Sequence, residues 1–317
     1  MLDSKSESLK GKILVTAQPN PDIDRVACII GYSELLQKQG IDAHPGIVGN
    51  IHREALFILE NFNVNYSKVS EKSISGFDEF ILVDSSSRTG LSENIDINKV
   101  VEIIDHRKSN EAHVFKNAKI QIEFVGAAAT LIVEKFMESG TELSEGSRIL
   151  LYGAIVSNTL NFKSNTTTGR DKKAAEWLKK RLNLPKDFVR RMFLAKSDFE
   201  GKNVRDILMQ DCKSVDKDAK VRFSIFQLEV VDLERIIKDN KKEILGFLKE
   251  DKIKQNLDYI FLTGVDLEKG FNMFLAVDDK TKSLLEKALG IKFSGNAVRR
   301  EGLLLRKEII PIIERYF

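Results

Sequence analysis

Residues 12–39 read KILVTAQPNPDIDRVACIIGYSELLQKQ, and this stretch decides the fold. Residues 12–17 form an apolar run typical of a buried strand. A polar loop follows, and from about Arg25 to Gln39 apolar residues recur at helical spacing. A strand, a loop and a helix in this order make up the repeating unit of a parallel α/β sheet. The N-terminal segment therefore predicts an α/β fold.

Two further segments repeat this theme. Residues 80–83 (FILV) and 100–104 (VVEII) are too short for helices and rich in β-branched side chains, which indicates buried strands. Asp84 and Asp105 follow these strands directly. In open parallel sheets ligands bind at the carboxyl ends of the strands. Acids that follow three strands in succession therefore predict a site at that edge.

The pattern of predicted strands and helices changes after a junction at about residues 184–201. Before it, residues 126–158 and 172–182 have helical patterns. Beyond it we expect strands and helices at 221–230, 233–249, 259–264, 272–277 and 282–289. The sequence predicts a doubly wound parallel-sheet domain over 1–192, a linker over about 193–202, and a smaller α+β domain over 203–317.

Composition narrows the class of protein. The chain has 317 residues, 42% of them hydrophobic and 31% charged, with a net charge of +3, as expected for a soluble protein of two domains. The charge is too small to favour nucleic acid as a partner. We expect no signal peptide and no membrane span. Two distant cysteines, Cys28 and Cys212, exclude a disulfide framework and a cysteine zinc site and favour the cytoplasm.

The acidic residues suggest metal chemistry. In the loop NPDID, Asp22 and Asp24 are separated by one residue, and a bend at Pro21 would aim them at adjacent points. Divalent cations such as Ca²⁺ and Mg²⁺ take carboxylate oxygens at about 2.0–2.6 Å. His106 adds an imidazole, the commonest transition-metal ligand, directly after a predicted buried strand. Alone, the paired aspartates are more typical of a surface loop than of a metal site. With Asp84 and His106 they predict a divalent-metal site that handles phosphate.

Five motifs in order resemble those of the DHH phosphoesterases, and more narrowly of the manganese-dependent, family II inorganic pyrophosphatases. They are NPDID at 20–24, LVD at 82–84, IIDHR at 103–107, VGAAAT at 125–130 and SNTLNFKSNTTT at 157–168. The C-terminal half resembles the family's DHHA2 domain, whose basic motif is echoed by Arg306 and Lys307. The resemblance implies hydrolysis of diphosphate to two phosphates by a metal-activated water, two Mn²⁺ or Co²⁺ ions per site, and a homodimer.

The resemblance also implies a role for individual residues. Asp22 would bind the first metal ion, Asp24 and His106 the second, and Asp84 would bridge the two. Gln18 and Asn158 stand at two further ligand positions. The implied catalytic residues are Asp84, His106 and Arg107. The implied substrate-binding residues are Arg107, Lys163, Lys202, Arg306 and Lys307.

Three positions depart from the family pattern and leave alternatives open. Gln18 and Asn158 stand where the family has a histidine and an aspartate, and Arg107 replaces the second histidine of DHH. Neutral oxygen donors would weaken manganese binding and make Mg²⁺ possible. Arg107 could grip a phosphate, and prune-like relatives also carry DHR. This leaves longer or organic phosphates open, as for prune-like and exopolyphosphatase-type enzymes.

A degenerate paralogue that binds phosphate ligands with little turnover is the other alternative. A nuclease is disfavoured because the net charge is small. In addition, the glycine-rich C-terminal motif with a histidine, found in related nucleases, is absent from the sequence.

Overall fold

The computed structural model of the protein describes residues 11–197, 203–217 and 221–317. The chain divides into two compact units, Met1–Met192 and Phe193–Phe317. The described residues form two five-stranded sheets, one parallel and one mixed. The predicted α/β fold class is confirmed.

The N-terminal unit is built around the parallel sheet. Its strands are β1 (Ile13–Thr16), β2 (Ala43–Gly46), β3 (Glu79–Val83), β4 (Val100–Asp105) and β5 (Lys119–Ile122). Its helices are α1 (Ile23–Lys38), α2 (Arg53–Asn61), α3 (Ala128–Ser139), α4 (Glu145–Asn158) and α5 (Gly169–Lys179), and α6 (Phe188–Lys196) runs across the boundary between the units. The strand order is β2-β1-β3-β4-β5. The strands that carry the predicted acids, β1, β3 and β4, are therefore neighbours.

The three predicted strands and the first predicted helix are confirmed. Helix α1 begins at Ile23, two residues earlier than expected, because Asp22 accepts a hydrogen bond from Arg25 N at 3.0 Å and caps the helix. The sequence reading missed β2, α2 and β5. Both missed strands lack an apolar run: β2 contains Pro45, and β5 is a largely exposed edge strand. Edge strands have one unpaired side and need no continuous apolar pattern.

Helix α6 lies where the sequence suggested a junction. Phe188 and Met192 are both buried and are four residues apart, which is the spacing of one helix face. This helix was not predicted because the segment is rich in charged residues and its apolar stripe is short. The first four residues of the expected linker, 193–196, belong to this helix. Residues 198–202 of the expected linker lie outside the described residues.

The C-terminal unit is built around the mixed sheet. Its strands are β6 (Cys212–Lys217), β7 (Val221–Val230), β8 (Tyr259–Asp266), β9 (Phe271–Ala276) and β10 (Ala297–Glu301), in the order β10-β9-β8-β7-β6. Its helices are α7 (Val204–Gln210), α8 (Leu233–Lys254), α9 (Asp279–Leu289) and α10 (Arg306–Ile313). Strands β7 and β8 pair in parallel and the other pairs are antiparallel.

The expected elements of this unit, β7, β8, β9, α8 and α9, are confirmed, while α7, β6, β10 and α10 were missed. Helix α10 contains Pro311, which ordinarily argues against a helix interior. Among the described residues, none of the helices combines the length and the apolar character required to cross a membrane.

Candidate metal centre

The predicted acids meet at one edge of the parallel sheet. Strands β1, β3 and β4 are adjacent and parallel, so their carboxyl ends face the same side. Asp84 follows β3, His106 follows β4, and the loop after β1 leads to the first turn of α1. The side chains of Asp24, Asp84 and His106 come together there: one potential ligand atom from each lies within 4.8 Å of the others.

The two aspartates of the NPDID loop differ in environment. Asp22 is half-buried, and one oxygen of its carboxylate caps the N-terminus of α1. Asp24 is fully buried, and its carboxylate accepts hydrogen bonds from Ala128 N at 2.8 Å and Ala129 N at 2.9 Å. These amides open α3, and the N-terminus of a helix favours a negative charge. Of the two aspartates, Asp24 therefore belongs to the group of Asp24, Asp84 and His106, whereas Asp22 caps α1.

The two carboxylate oxygens of Asp84 have different surroundings. Its backbone is left-handed, with φ of 46°, and its side chain is 1% exposed. Its Oδ2 accepts a hydrogen bond from Arg107 Nη2 at 3.0 Å. Its Oδ1 is buried and has no hydrogen-bond partner within the described part of the chain. A buried, unpaired carboxylate oxygen is costly unless a cation satisfies it.

His106 is held with one ring nitrogen turned toward the acids. Its Nδ1 lies 2.9 Å from the carbonyl oxygen of Val125, which can only accept, so Nδ1 carries the proton when the ring is neutral. Its Nε2 lies 3.4 Å from Asp84 Oδ1 and 3.9 Å from Asp24 Oδ2. A backbone carbonyl on the far nitrogen is the usual support of a metal-ligating histidine. Two carboxylates and one imidazole arranged in this way fit a divalent transition metal.

The electrostatics of the centre agree with that chemistry. Burial and the neighbouring charge of Asp84 raise the pKa of Asp24 to about 7. Burial opposes protonation of His106, but its contact with Asp84 outweighs this and raises its pKa to about 9. Burial likewise works against ionisation of Asp84, yet Arg107 and His106 hold its pKa well below the usual range. Without metal, protons provide part of the positive charge, and a bound cation would displace them.

Gln18 and Asn158 lie beside the group, and the side chains of both make hydrogen bonds there. Gln18 donates from Nε2 to Thr89 O at 2.7 Å, and its Oε1 accepts from Arg25 Nη2 at 3.0 Å. Asn158, the last residue of α4, donates from Nδ2 to Asp24 Oδ2 at 2.6 Å. In this structure Gln18 Oε1 is turned toward Arg25, and Asn158 turns its N–H group toward Asp24.

Two arginines contact Asp84. Arg107 donates to the carbonyl and carboxylate oxygens of Asp84 and lies 3.3 Å from the carboxylate of Asp105. Arg25 places Nε 3.5 Å from both the carbonyl oxygen and Oδ2 of Asp84. The sequence reading missed Arg25. A signal was present, because a cation in the first turn of a helix is unfavourable to the helix dipole and so indicates a specific partner.

The other four predicted substrate-binding residues are Lys163, Lys202, Arg306 and Lys307. Lys163 is exposed in the loop after α4. Arg306 opens α10 in the C-terminal unit and forms an ion pair with Asp211, and the next residue, Lys307, is exposed. Lys202 lies outside the described residues. The roles of these four residues remain predictions.

Comparison with known proteins extends these observations. The family profile of the DHHA2 domain matches residues 190–316. The manganese-dependent inorganic pyrophosphatase of Methanothrix thermoacetophila is 33% identical over 309 residues, 96% of this chain and 98% of the relative. A protein of Clostridium acetobutylicum, described as a probable manganese-dependent inorganic pyrophosphatase, is 32% identical over 301 residues, 94% of this chain and 96% of the relative.

Solved structures give the same picture. A Methanococcus jannaschii protein assigned to the family II inorganic pyrophosphatases superposes with a TM-score of 0.76 at 28% identity, covering 96% of this chain and 98% of that one. An exopolyphosphatase-related protein of Bacteroides fragilis superposes with a TM-score of 0.52 at 15% identity, covering 96% of this chain and 92% of that one, and shares the fold alone.

Proposed function

The chain belongs to the manganese-dependent inorganic pyrophosphatases, and from this membership we propose that it hydrolyses inorganic diphosphate to two phosphate ions. Water adds to one phosphorus atom, and the bond from that atom to the bridging oxygen breaks. The second phosphate leaves with the bridging oxygen. Asp24, Asp84 and His106 would hold the divalent metal ion that this reaction requires.

The structural observation that supports this proposal is the buried Oδ1 of Asp84, which makes no hydrogen bond among the described residues and lies 3.4 Å from His106 Nε2. A bound divalent ion supplies a water of lowered pKa and neutralises charge on phosphate oxygens. The chain's own residues fix the geometry: Val125 holds the ring of His106, and Arg107 holds the carboxylate of Asp84. Asp105 is fully buried and accepts a hydrogen bond from His106 N at 2.7 Å, so it joins these two supports.

The metal is manganese in the named relatives, and Mn²⁺ is the ion we propose here. Co²⁺ takes the same ligands. Mg²⁺ is a further candidate, because the amide side chains of Gln18 and Asn158 bring no charge and no softer nitrogen ligand.

Phosphate release from diphosphate tests the proposal. The full chain is freed of metal with a chelator, and release is measured after addition of Mn²⁺, Co²⁺ or Mg²⁺. We expect metal-dependent turnover that the Asp84→Ala variant loses. Asp239→Ala is the matched control, because Asp239 is an exposed residue of α8. Absence of phosphate release with every metal, from diphosphate, triphosphate and polyphosphate alike, would overturn the proposal.

A second candidate is a phosphate-binding protein with little turnover. It is favoured by the amides of Gln18 and Asn158 and by the guanidiniums of Arg25 and Arg107, which occupy hydrogen-bonding positions around the acids. This candidate predicts that phosphates raise the thermal unfolding midpoint without being hydrolysed. The same assay, run with polyphosphate and organic phosphates, tests the exopolyphosphatase-type and prune-like alternatives.

We further propose that the protein is a cytoplasmic homodimer that acts on a small phosphate substrate and needs neither nucleic acid nor a membrane. The dimer rests on the family resemblance. The compartment rests on the two cysteines, which are both free, one buried and one half-buried. Sedimentation of the purified chain measures its mass, and a monomer at micromolar concentration would contradict the dimer.

A further inference from the structure

We propose that the guanidinium of Arg25 takes the place of one of the two metal ions implied by the resemblance, so that the centre binds a single divalent cation between Asp24, Asp84 and His106. This inference rests on the proposed function only in that it concerns the same centre. It states how many ions the centre holds.

Arg25 lies among the groups expected to bind the first ion. The resemblance assigns Asp22 to that ion and Asp84 to both ions, and Gln18 stands at a further ligand position. The guanidinium donates from Nη2 to Gln18 Oε1 at 3.0 Å, and its Nε lies 3.5 Å from Asp84 Oδ2. The third group, Asp22, caps the turn that carries Arg25 and accepts a hydrogen bond from the backbone N of that residue. The Arg25 side chain is 16% exposed, so it is held inside the centre.

The two carboxylate oxygens of Asp84 face different groups. Its Oδ2 faces the guanidiniums of Arg25 and Arg107. Its Oδ1 makes no hydrogen bond among the described residues and lies 3.4 Å from His106 Nε2, an ion pair only while the imidazole is protonated. A carboxylate that bridges two ions through its two oxygens needs one free oxygen for each ion. Here one oxygen is already satisfied by fixed positive charge, which leaves one oxygen for one ion.

Charge balance leads to the same number. The described side chains of the centre include four carboxylates and two guanidiniums: Asp22, Asp24, Asp84, Asp105, Arg25 and Arg107. With every carboxylate counted as ionised and His106 as neutral, the state that a bound cation favours, the carboxylates carry −4 and the guanidiniums +2, and the remaining −2 equals the charge of one divalent cation. A second ion would leave uncompensated positive charge at a largely buried site. Arginine does not relieve this by losing its proton, because the guanidinium group stays charged in proteins.

The test is the number of Mn²⁺ ions bound per chain, measured without diphosphate. The metal-free full chain is equilibrated with Mn²⁺. Bound metal is then counted by native mass spectrometry and by the loss of the free-ion electron paramagnetic resonance signal. We expect one tightly bound ion in the wild type and two in the double variant Arg25→Ala, Gln18→His. Arg235→Ala removes an exposed arginine of α8 and should leave one ion.

The variants identify the site and the cause. His106→Ala should lose the tightly bound ion. Circular dichroism checks that each variant folds. If the double variant does not fold, Arg25→Gln, which removes the charge and keeps most of the length, takes its place with Gln18→His. Two ions or none in the wild type would overturn the inference, and so would a single ion in the folded double variant.

This result is independent of turnover. A protein that binds two ions and hydrolyses diphosphate keeps the proposed function and refutes the single-ion centre. A protein that binds one ion but releases no phosphate does the reverse.

Discussion

At the scale of single residues, the conformation of Asp84 organises the centre. Its left-handed backbone, with φ of 46°, is accessible to aspartate at modest cost. This conformation turns the carbonyl oxygen toward Arg107 and Arg25, while the side chain lies between Arg107 and His106. One residue therefore accepts from both arginines and still presents an unpaired oxygen to a cation.

The effect of Asn158→Asp on stability should depend on whether metal is bound. In Asn158→Asp a carboxylate replaces the amide that donates to Asp24 Oδ2 at 2.6 Å. Without metal, the lost hydrogen bond and the added like charge should lower the free energy of unfolding by about 1–3 kcal/mol. With Mn²⁺, the extra carboxylate becomes a potential ligand. Mn²⁺ should therefore raise the unfolding midpoint more in the variant than in the wild type.

Thermal unfolding with and without Mn²⁺ measures both effects. Asn161→Asp, at an exposed position three residues further along, is the control and should change neither value. Equal midpoints for the wild type and Asn158→Asp in both conditions would mean that Asn158 does not face the metal position.

At the scale of elements, helix packing places the ligands. Helix α1 packs against α3 and α4, and the first amides of α3 bind Asp24 from α1. Gly153 of α4 leaves room for the ends of two buried isoleucines: a Cβ there would lie 2.4 Å from Cδ1 of Ile58 in α2 and 3.1 Å from Cδ1 of Ile23 in α1. Ile23 stands between the two aspartates of the loop. The position of the acids therefore depends on a small residue on a different helix.

Gly153→Ala should destabilise the protein in spite of the better helix propensity of alanine. We expect a loss of about 1–3 kcal/mol from overpacking, together with weaker Mn²⁺ binding as α1 shifts. The matched control is Gly246→Ala in α8, where an added Cβ meets nothing within 4 Å. That change should stabilise by about 0.5–1 kcal/mol. Urea unfolding measures both values, and a stabilising Gly153→Ala would contradict the packing argument.

At the scale of the whole molecule, all the described candidate ligands lie in the N-terminal unit. The C-terminal unit has its own core and its own polar network, in which Arg306 pairs with Asp211 and its backbone N donates to Gln227 at 2.6 Å. That network uses part of the positive charge that the resemblance assigns to substrate binding. The two units are thus different in chemistry as well as in fold.

Metal binding should therefore protect one unit selectively. A ligand at a concentration of 100 times its Kd stabilises the binding state by about 2.7 kcal/mol, so amides around α1 and the ends of β3 and β4 should exchange roughly a hundredfold more slowly with Mn²⁺. Hydrogen exchange followed by mass spectrometry measures this peptide by peptide. Peptides of the C-terminal unit should be unaffected, and His106→Ala should abolish the protection. Slowing confined to the C-terminal unit would refute the location of the site.

Local patterns in the sequence determined the fold class and the position of the acids. The apolar runs that became β1, β3 and β4 are short, buried and each followed by an acid, and parallel pairing brings their ends to one edge. The family resemblance, read from five motifs in order, is confirmed by relatives that match nearly the whole chain. Elements with weak local patterns, such as the edge strands β2 and β5, could not be found in this way.

Only the tertiary structure decided which side chains of the site form hydrogen bonds and ion pairs with each other, because these contacts join residues far apart in sequence. Asn158 and Asp24 are separated by 134 positions and Arg107 and Asp84 by 23. No local pattern tells whether an amide offers its oxygen to a metal or its N–H to a carboxylate. The same holds for Arg25, which follows the metal-binding motif in sequence and in space fills a place expected for an ion.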